Sequence, residues 1–376
     1  MVYNWQKATM KKTILMGMAA LLLCGTVNAT SWRVCSKPEA GANFLSVAEA
    51  VASNNVFAGD TLYVEPGHYE GTEINITKSL VLIGLGHSLT INDIITMDNN
   101  EAVFSGGVTL SATGTKVLGC KFLNGITSDS DNLEIAGCYI NGGISTRGSN
   151  THLHNCYIIG TLHNDLGMGF YATCLSWVVE NNIILGSIQN KAYGGRQNYK
   201  DWILRNNTIV STPQYSNQFV VHELYSSQIY NNIIFNSNPS YETTNNPDQT
   251  IDTTWYKDFT ISYLDEDNNN VSNNILSSKT QAHFFNCTFN ATVDDVLIWN
   301  DANTLEEKYK HKTPGPAVGA GVNGTTCGAY GAVNGGRAYQ PAGIPQYRPY
   351  IYDANIDETP STNNTINASF KIKVQQ

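Results

Sequence analysis

Basic and aromatic residues crowd three successive loops of this 376-residue chain. The first runs from Asn164 to Tyr171, the second from Asn190 to Asp201, and a looser third includes His222 and Tyr225. Aromatic rings beside Arg, His and amides suit a sugar, whose ring faces stack and whose hydroxyls need fork-like donors. Tyr171, Tyr193, Tyr199, His222 and Tyr225 are the candidate contacts, with Arg147 and Asp165 beside them. Lys191, Arg196 and Lys200 are the candidate bases. Beside a bound uronate, one of them would abstract the proton next to the carboxyl group, given a cation to neutralise that carboxylate. His163 or Tyr199 would return a proton to the leaving oxygen. Two plainer readings stand beside this one: the loops merely pack a surface, and Asp165 pairs with Arg147 and Lys191 across rungs as a salt bridge of little energetic weight.

The elements that would position these loops form a repeat. Segments around Cys120, Cys138, Cys156, Asn182, Asn207, Asn232 and Asn274 align on those anchors, at steps of 18, 18, 26, 25, 25 and 42 residues. Such a step, with two short alternating strands around a polar turn, is one coil of a solenoid. Two residues past the anchors stand Phe122, Ile140, Ile158, Ile184, Ile209, Ile234 and Leu276. Three residues before them stand Val117, Ile135, Leu153, Val179, Leu204, Ile229 and Val271. Stacked about 4.8 Å apart, these rows build a core that no single coil could bury alone. The anchors read as a ladder in which Asn takes a left-handed turn conformation and bonds from rung to rung. Cys120, Cys138 and Cys156 fill the same slot as buried thiols, with disulfide or metal use as the alternatives. Arg147, Asp165 and Lys191 lie nine positions past their anchors, in line if the coils keep register.

Composition narrows the classes. With 41% hydrophobic and 14% charged residues, a large core is affordable only to a folded chain, not to a disordered one. A net charge of −9 excludes a nucleic-acid binder. Lys11 and Lys12 precede an apolar run from Ile14 to Leu23 and the small-residue site ending at Ala29, which reads as a secretory signal peptide too short to span a membrane. Cleavage after Ala29 would remove three lysines and no acid, leaving −12 and seven cysteines, an odd number. Charge is uneven: residues 147–205 carry five bases against three acids, and residues 242–307 carry two against twelve.

The opening run from Gly59 to Tyr69, the run from Ile76 to Gly84, and the turns Gly315–Gly321 and Cys327–Gly331 resemble the pectin lyase-like right-handed parallel β-helix superfamily over roughly residues 43–335. The resemblance implies an all-β, right-handed, single-stranded parallel β-helix of about nine or ten coils. It also implies a short capping helix, on which Phe44, Val47, Ala48 and Val51 share a face, and closing coils at the two late turns. The catalytic motifs of polygalacturonase-like, pectin methylesterase-like and pectate lyase-like members are missing, so no catalytic residue carries over. The expected organisation is a signal peptide (1–29), an N-terminal strand and cap (30–58), the solenoid (59–336) and a Tyr/Pro-rich tail with a terminal strand (337–376).

His152 and His154 share an outward face with Glu134 and Glu180 one rung away on either side. The neighbouring Arg205 and Tyr230 make this read as ordinary polar exterior, and no metal is assigned. Asp265 to Asn269 resembles the start of a calcium loop but lacks its glycine and final glutamate, which leaves only loose Ca2+ binding open. The expectation is an exported monomer, in the periplasm, at the cell surface or outside the cell, that binds a polysaccharide and cleaves it by elimination if it is catalytic. The rival is a non-enzymatic surface or adhesion scaffold.

Overall fold

The computed structural model describes residues 29–71, 73–87, 101–163, 174–189, 199–211, 220–222, 224–236, 241–245, 251–255, 261, 268–278, 283–300, 303, 306–331, 338–340, 349–356 and 368–374. Short alternating segments pair in parallel with their equivalents one coil away, as the repeat requires. Among the described residues they make three long sheets. The first has eleven strands, from Ser31–Val34 to Phe284–Phe285, and the second has nine, from Gly67–Tyr69 to Ile275–Leu276. The third has seven, from Ile74–Ile76 to Val221–His222. One coil therefore visits three sheets, as in Glu134–Ala136, Tyr139–Asn141 and Ile144–Thr146. The fold is the expected parallel β-helix, with one strand per coil more than the two read from the repeat.

Both predicted inward rows are buried in one continuous core. Their alignment is direct: Ile184 pairs with Ile158 and Ile209, and Leu204 with Val179 and Ile229. Trp177 and Trp202 extend the core beneath the loop-bearing corner, stacked at 4.9 Å with 5° between planes. Their indoles donate to the carbonyls of Gly148 and Cys174.

The anchors divide their labour differently from the sequence reading. The left-handed residue is the one before the anchor: Asn181, Asn206, Asn231 and Asn273 have φ between 52 and 59°. The anchors themselves point inward and bond along the stack. Asn182 Nδ2 donates to Asn207 Oδ1, Asn207 Nδ2 to Asn232 Oδ1, and Asn232 Nδ2 to Asn274 Oδ1, each at 3.0 Å. Each of these oxygens also accepts the backbone N–H of the preceding anchor. The thiols of Cys138 and Cys156 reach carbonyls in the equivalent positions, Ala136 and Val117, then His154 and Ile135. None of the seven cysteines among the described residues is in a disulfide.

The capping helix α1, Val47–Ala52, starts at Ser46, whose side chain accepts from the Glu49 N–H. Its buried residues are Val47, Ala50 and Val51, with Phe44 packed partly against the core. Ala48 faces solvent instead, because a six-residue helix turns Ala50 inward. Lys78 Nζ holds the exit of the helix by donating to the carbonyls of Ser53 and Val56.

The late turns do not close the solenoid. Residues 306–331 fold back along the outside of the second sheet as a strap. The reason lies in the coils: outward positions of that sheet, Tyr157, Ile183, Leu185, Val210, Ile233, Phe235 and Ile275, are apolar and need cover. Tyr309, Ala317, Cys327, Ala329 and Tyr339 bury them in a second core. The left-handed asparagines fasten the strap: Asn181 donates to the carbonyls of Ala329 and Gly331, Asn206 to Thr326, and Asn273 to Ala320. Further on, Pro349–Ile356 and Ala368–Val374 form an antiparallel hairpin, so the terminal strand has a partner within the tail.

Candidate functional site

The outward face of the first sheet carries one connected polar network over six rungs. Lys116 Nζ lies 2.7 Å from Glu134 Oε2. Glu134 Oε1 in turn lies 3.5 Å from His154 Nε2. The His154 ring stacks on His152 at 4.1 Å, and His152 Nε2 reaches Glu180 Oε1 at 2.8 Å. The other oxygen of Glu180 takes Arg205 through Nε and NH2, both at 2.6 Å, and Arg205 NH1 donates to Tyr230 Oη at 3.2 Å. Register explains the zigzag. His154, Glu180, Arg205 and Tyr230 are partners in one column, while Lys116, Glu134 and His152 are partners in the parallel column two residues away.

The network is half-buried, and this tunes it. Beside Glu134, His154 and then Lys116 hold the carboxyl down at about 2. At Glu180 burial works the other way, but His152 and Arg205 outweigh it and the carboxyl again sits at about 2. A folded-state pKa below the ordinary 4.5 means stability that is present above that value and lost as pH falls towards 2. After allowance for solvent screening, roughly 1–2 kcal/mol per carboxylate is expected. Melting temperature followed from pH 5 to pH 2 should therefore fall, and the Glu134→Gln/Glu180→Gln protein should show a flatter profile. Equal slopes in the two proteins would show that these pairs carry no such linkage.

Beside this face lies the loop-bearing corner. Ser145, His163, Gln189 and His222 are register partners in the third sheet, and His163 and Gln189 stand just before the first two insertions. After the insertions Cys174 pairs with Tyr199, Leu175 with Lys200, and Lys200 with Tyr225. The first two loops thus leave and rejoin the solenoid at stacked positions, as their spacing implied. In the next coil the extra residues fall one corner earlier, between Thr208–Ser211 and Val221–His222, so the third loop does not stack on them. His163, Lys200 and His222 are half-buried at these ends, and Tyr225 is buried. The strand holding Tyr199 is placed, whereas its side chain lies outside the description. Asp165, Tyr171, Lys191, Tyr193 and Arg196 lie outside the described residues, as do residues 1–28 and the acidic run 262–267. Arg147 is placed in the turn after the third sheet, where Nε lies 3.7 Å from Asp129 Oδ1 of the preceding coil.

Sequence reading passed over Lys116 and treated Arg205 and Tyr230 as plain exterior. The signal that would have found them was parity: each sits at a fixed offset from its anchor, on the side opposite the core. Among the described residues no three His, Cys, Asp or Glu side chains converge on one point. The two imidazoles face different carboxylates.

No family model matches this chain, and no curated protein matches it. Among solved structures it is similar to the PL6 family alginate lyase AlyGC, at 12% identity and a TM-score of 0.26, over 76% of this chain and 57% of that one. An arginine-to-alanine variant of the same lyase matches at the same identity and score, over 75% and 57%. The chain spans just over half the length of that enzyme. No helix among the described residues is long and apolar enough to cross a membrane.

Proposed function

We propose that this chain is an exported polysaccharide-binding protein that takes its ligand along the outward face of the first sheet, beside the loop-bearing corner. The observation that carries this reading is the Lys116–Tyr230 network. Seven polar side chains on six rungs, spaced about 4.8 Å, offer donors and acceptors at an interval comparable to one pyranose. Each is held by a neighbour on rigid strands, so little side-chain freedom is left to lose on binding. Lyase-type cleavage of an acidic glycan extends the proposal. Lys191, Arg196 or Lys200 would supply the base, and His163 or Tyr199 the donor.

The test is a glycan array probed with residues 30–376, with and without calcium, followed by absorbance of unsaturated products from each hit. Arg205→Ala is expected to weaken binding at least tenfold, because it removes the cation shared by Glu180 and Tyr230. Among Lys191→Ala, Arg196→Ala and Lys200→Ala, one is expected to abolish product formation while leaving the melting temperature in place. Binding without product would confine the protein to capture. No binding to neutral or acidic polysaccharides would overturn the proposal and leave the display scaffold in its place.

A further inference from the structure

His87 follows the third strand of the first sheet, Val81–Ile83, and its side chain is fully buried. Its Nδ1 lies 3.0 Å from Glu306 Oε1, and its Nε2 lies 3.5 Å from Tyr339 Oη. Neither His87 Nδ1 nor Glu306 Oε1 makes a hydrogen bond; the two buried atoms are held only by their mutual approach. Glu306 opens the strap and Tyr339 stands beyond its far end. Between them the strap runs away to the Asn273 rung, where Ala320 is fastened, and returns past Asn231 and Asn206 to Asn181. Both passes therefore end on one imidazole. Tyr139 and Tyr157 stand against its ring at 5.8 and 6.4 Å. Tyr330 ties the same corner by donating to the Glu306 carbonyl.

We propose that His87 is the lock of a strap that opens as a unit, separately from the coils. The other fastenings to the coils are made one rung at a time: clips from left-handed asparagines, the Thr208 hydroxyl, the Asn231 and Asn273 carbonyls, and apolar contacts. The imidazole is the coil side chain that meets both ends of the strap, Glu306 where it opens and Tyr339 beyond its far end. Breaking it frees both ends of the excursion and uncovers the stacked rings of Tyr139 and Tyr157, while the inward rows and the amide stack stay intact.

Native-state hydrogen exchange on the full chain tests this. Glu306→Gln keeps the side-chain volume and removes the carboxylate; Tyr339→Phe removes only the hydroxyl. In each, protection of the Cys327, Gly328 and Ala329 amides, which bond to Ala317, Asn231 and Thr208, should fall at least tenfold. The Ile203 and Gln228 amides, bonded within the first sheet, should keep theirs. An equal fall at strap and coil amides would make the contact part of the global fold. No change at any of them would make it a bystander. Either result overturns the proposal.

Discussion

Replacing Asn207 by leucine, which keeps the number and branching of side-chain heavy atoms but none of the polarity, is expected to destabilise the protein by about 3–5 kcal/mol. Asn207 is wholly buried near the middle of the amide stack. Its Nδ2 serves the Val179 and Arg205 carbonyls and Asn232 Oδ1, while its Oδ1 accepts both the backbone and side-chain N–H of Asn182. Leucine leaves two donors of Asn182 facing hydrocarbon, each at a cost of about 1–3 kcal/mol, and takes a donor away from Asn232 Oδ1 on the rung beyond. Asn207→Cys should fall between wild type and leucine. A thiol reaches the two carbonyls, as Cys156 does, but accepts poorly from the rung before it. Chemical denaturation would rank the three; leucine within 1 kcal/mol of wild type would refute the account.

The second large effect comes from two neighbours with opposite duties. Ile233 and Ile234 are 1% and 0% exposed, so burial alone does not tell them apart. Ile234 continues the inward row through Ile209 and Leu276, and Ile234→Lys is expected to leave no folded protein. Ile233 faces outward, and a Cβ added at Gly328 would stand only 2.5 Å from its Cδ1. Ile233→Lys places an unpaired ammonium under the strap, again at several kcal/mol, but the outward direction offers an escape into water. The strap should lift while the coils persist. Limited proteolysis would show cleavage within 306–331 and a resistant coil body. Global digestion of Ile233→Lys, or a folded Ile234→Lys, would count against two separate cores.

Those two isoleucines also show what the sequence hid. Alternation has no use for a doubled Ile-Ile, and the pairs at 183–184 and 233–234 were the visible sign that the second sheet is apolar on both faces. The inward rows and anchors could be read because each coil repeats them at a fixed offset. The third sheet could not: Ile126–Ser128 and Ile144–Thr146 turn inward only two side chains each, one of them a hydroxyl, which is too short a run to show a period. One coil was missed because it is short. Phe285-Asn286-Cys287-Thr288-Phe289 repeats the pattern of His154 to Ile158, but only 13 residues past Asn274, whose N–H points at the Cys287 sulfur. The network on the first sheet depends on diagonal contacts between coils of 18, 26 and 25 residues. It appears only once those unequal coils are set in register.

The strap also sets an order of events in time. Neighbouring coils meet across tens of residues, so they can zip rung by rung. The Asn181 clips span 148 and 150 residues, and the contact between His87 and Tyr339 spans 252. Closures of that length come late. Until they form, a finished solenoid shows solvent a flank of tyrosine, isoleucine and phenylalanine. Refolding should therefore carry a slow phase whose yield falls with protein concentration, as half-finished molecules stick to one another before each finds its own tail.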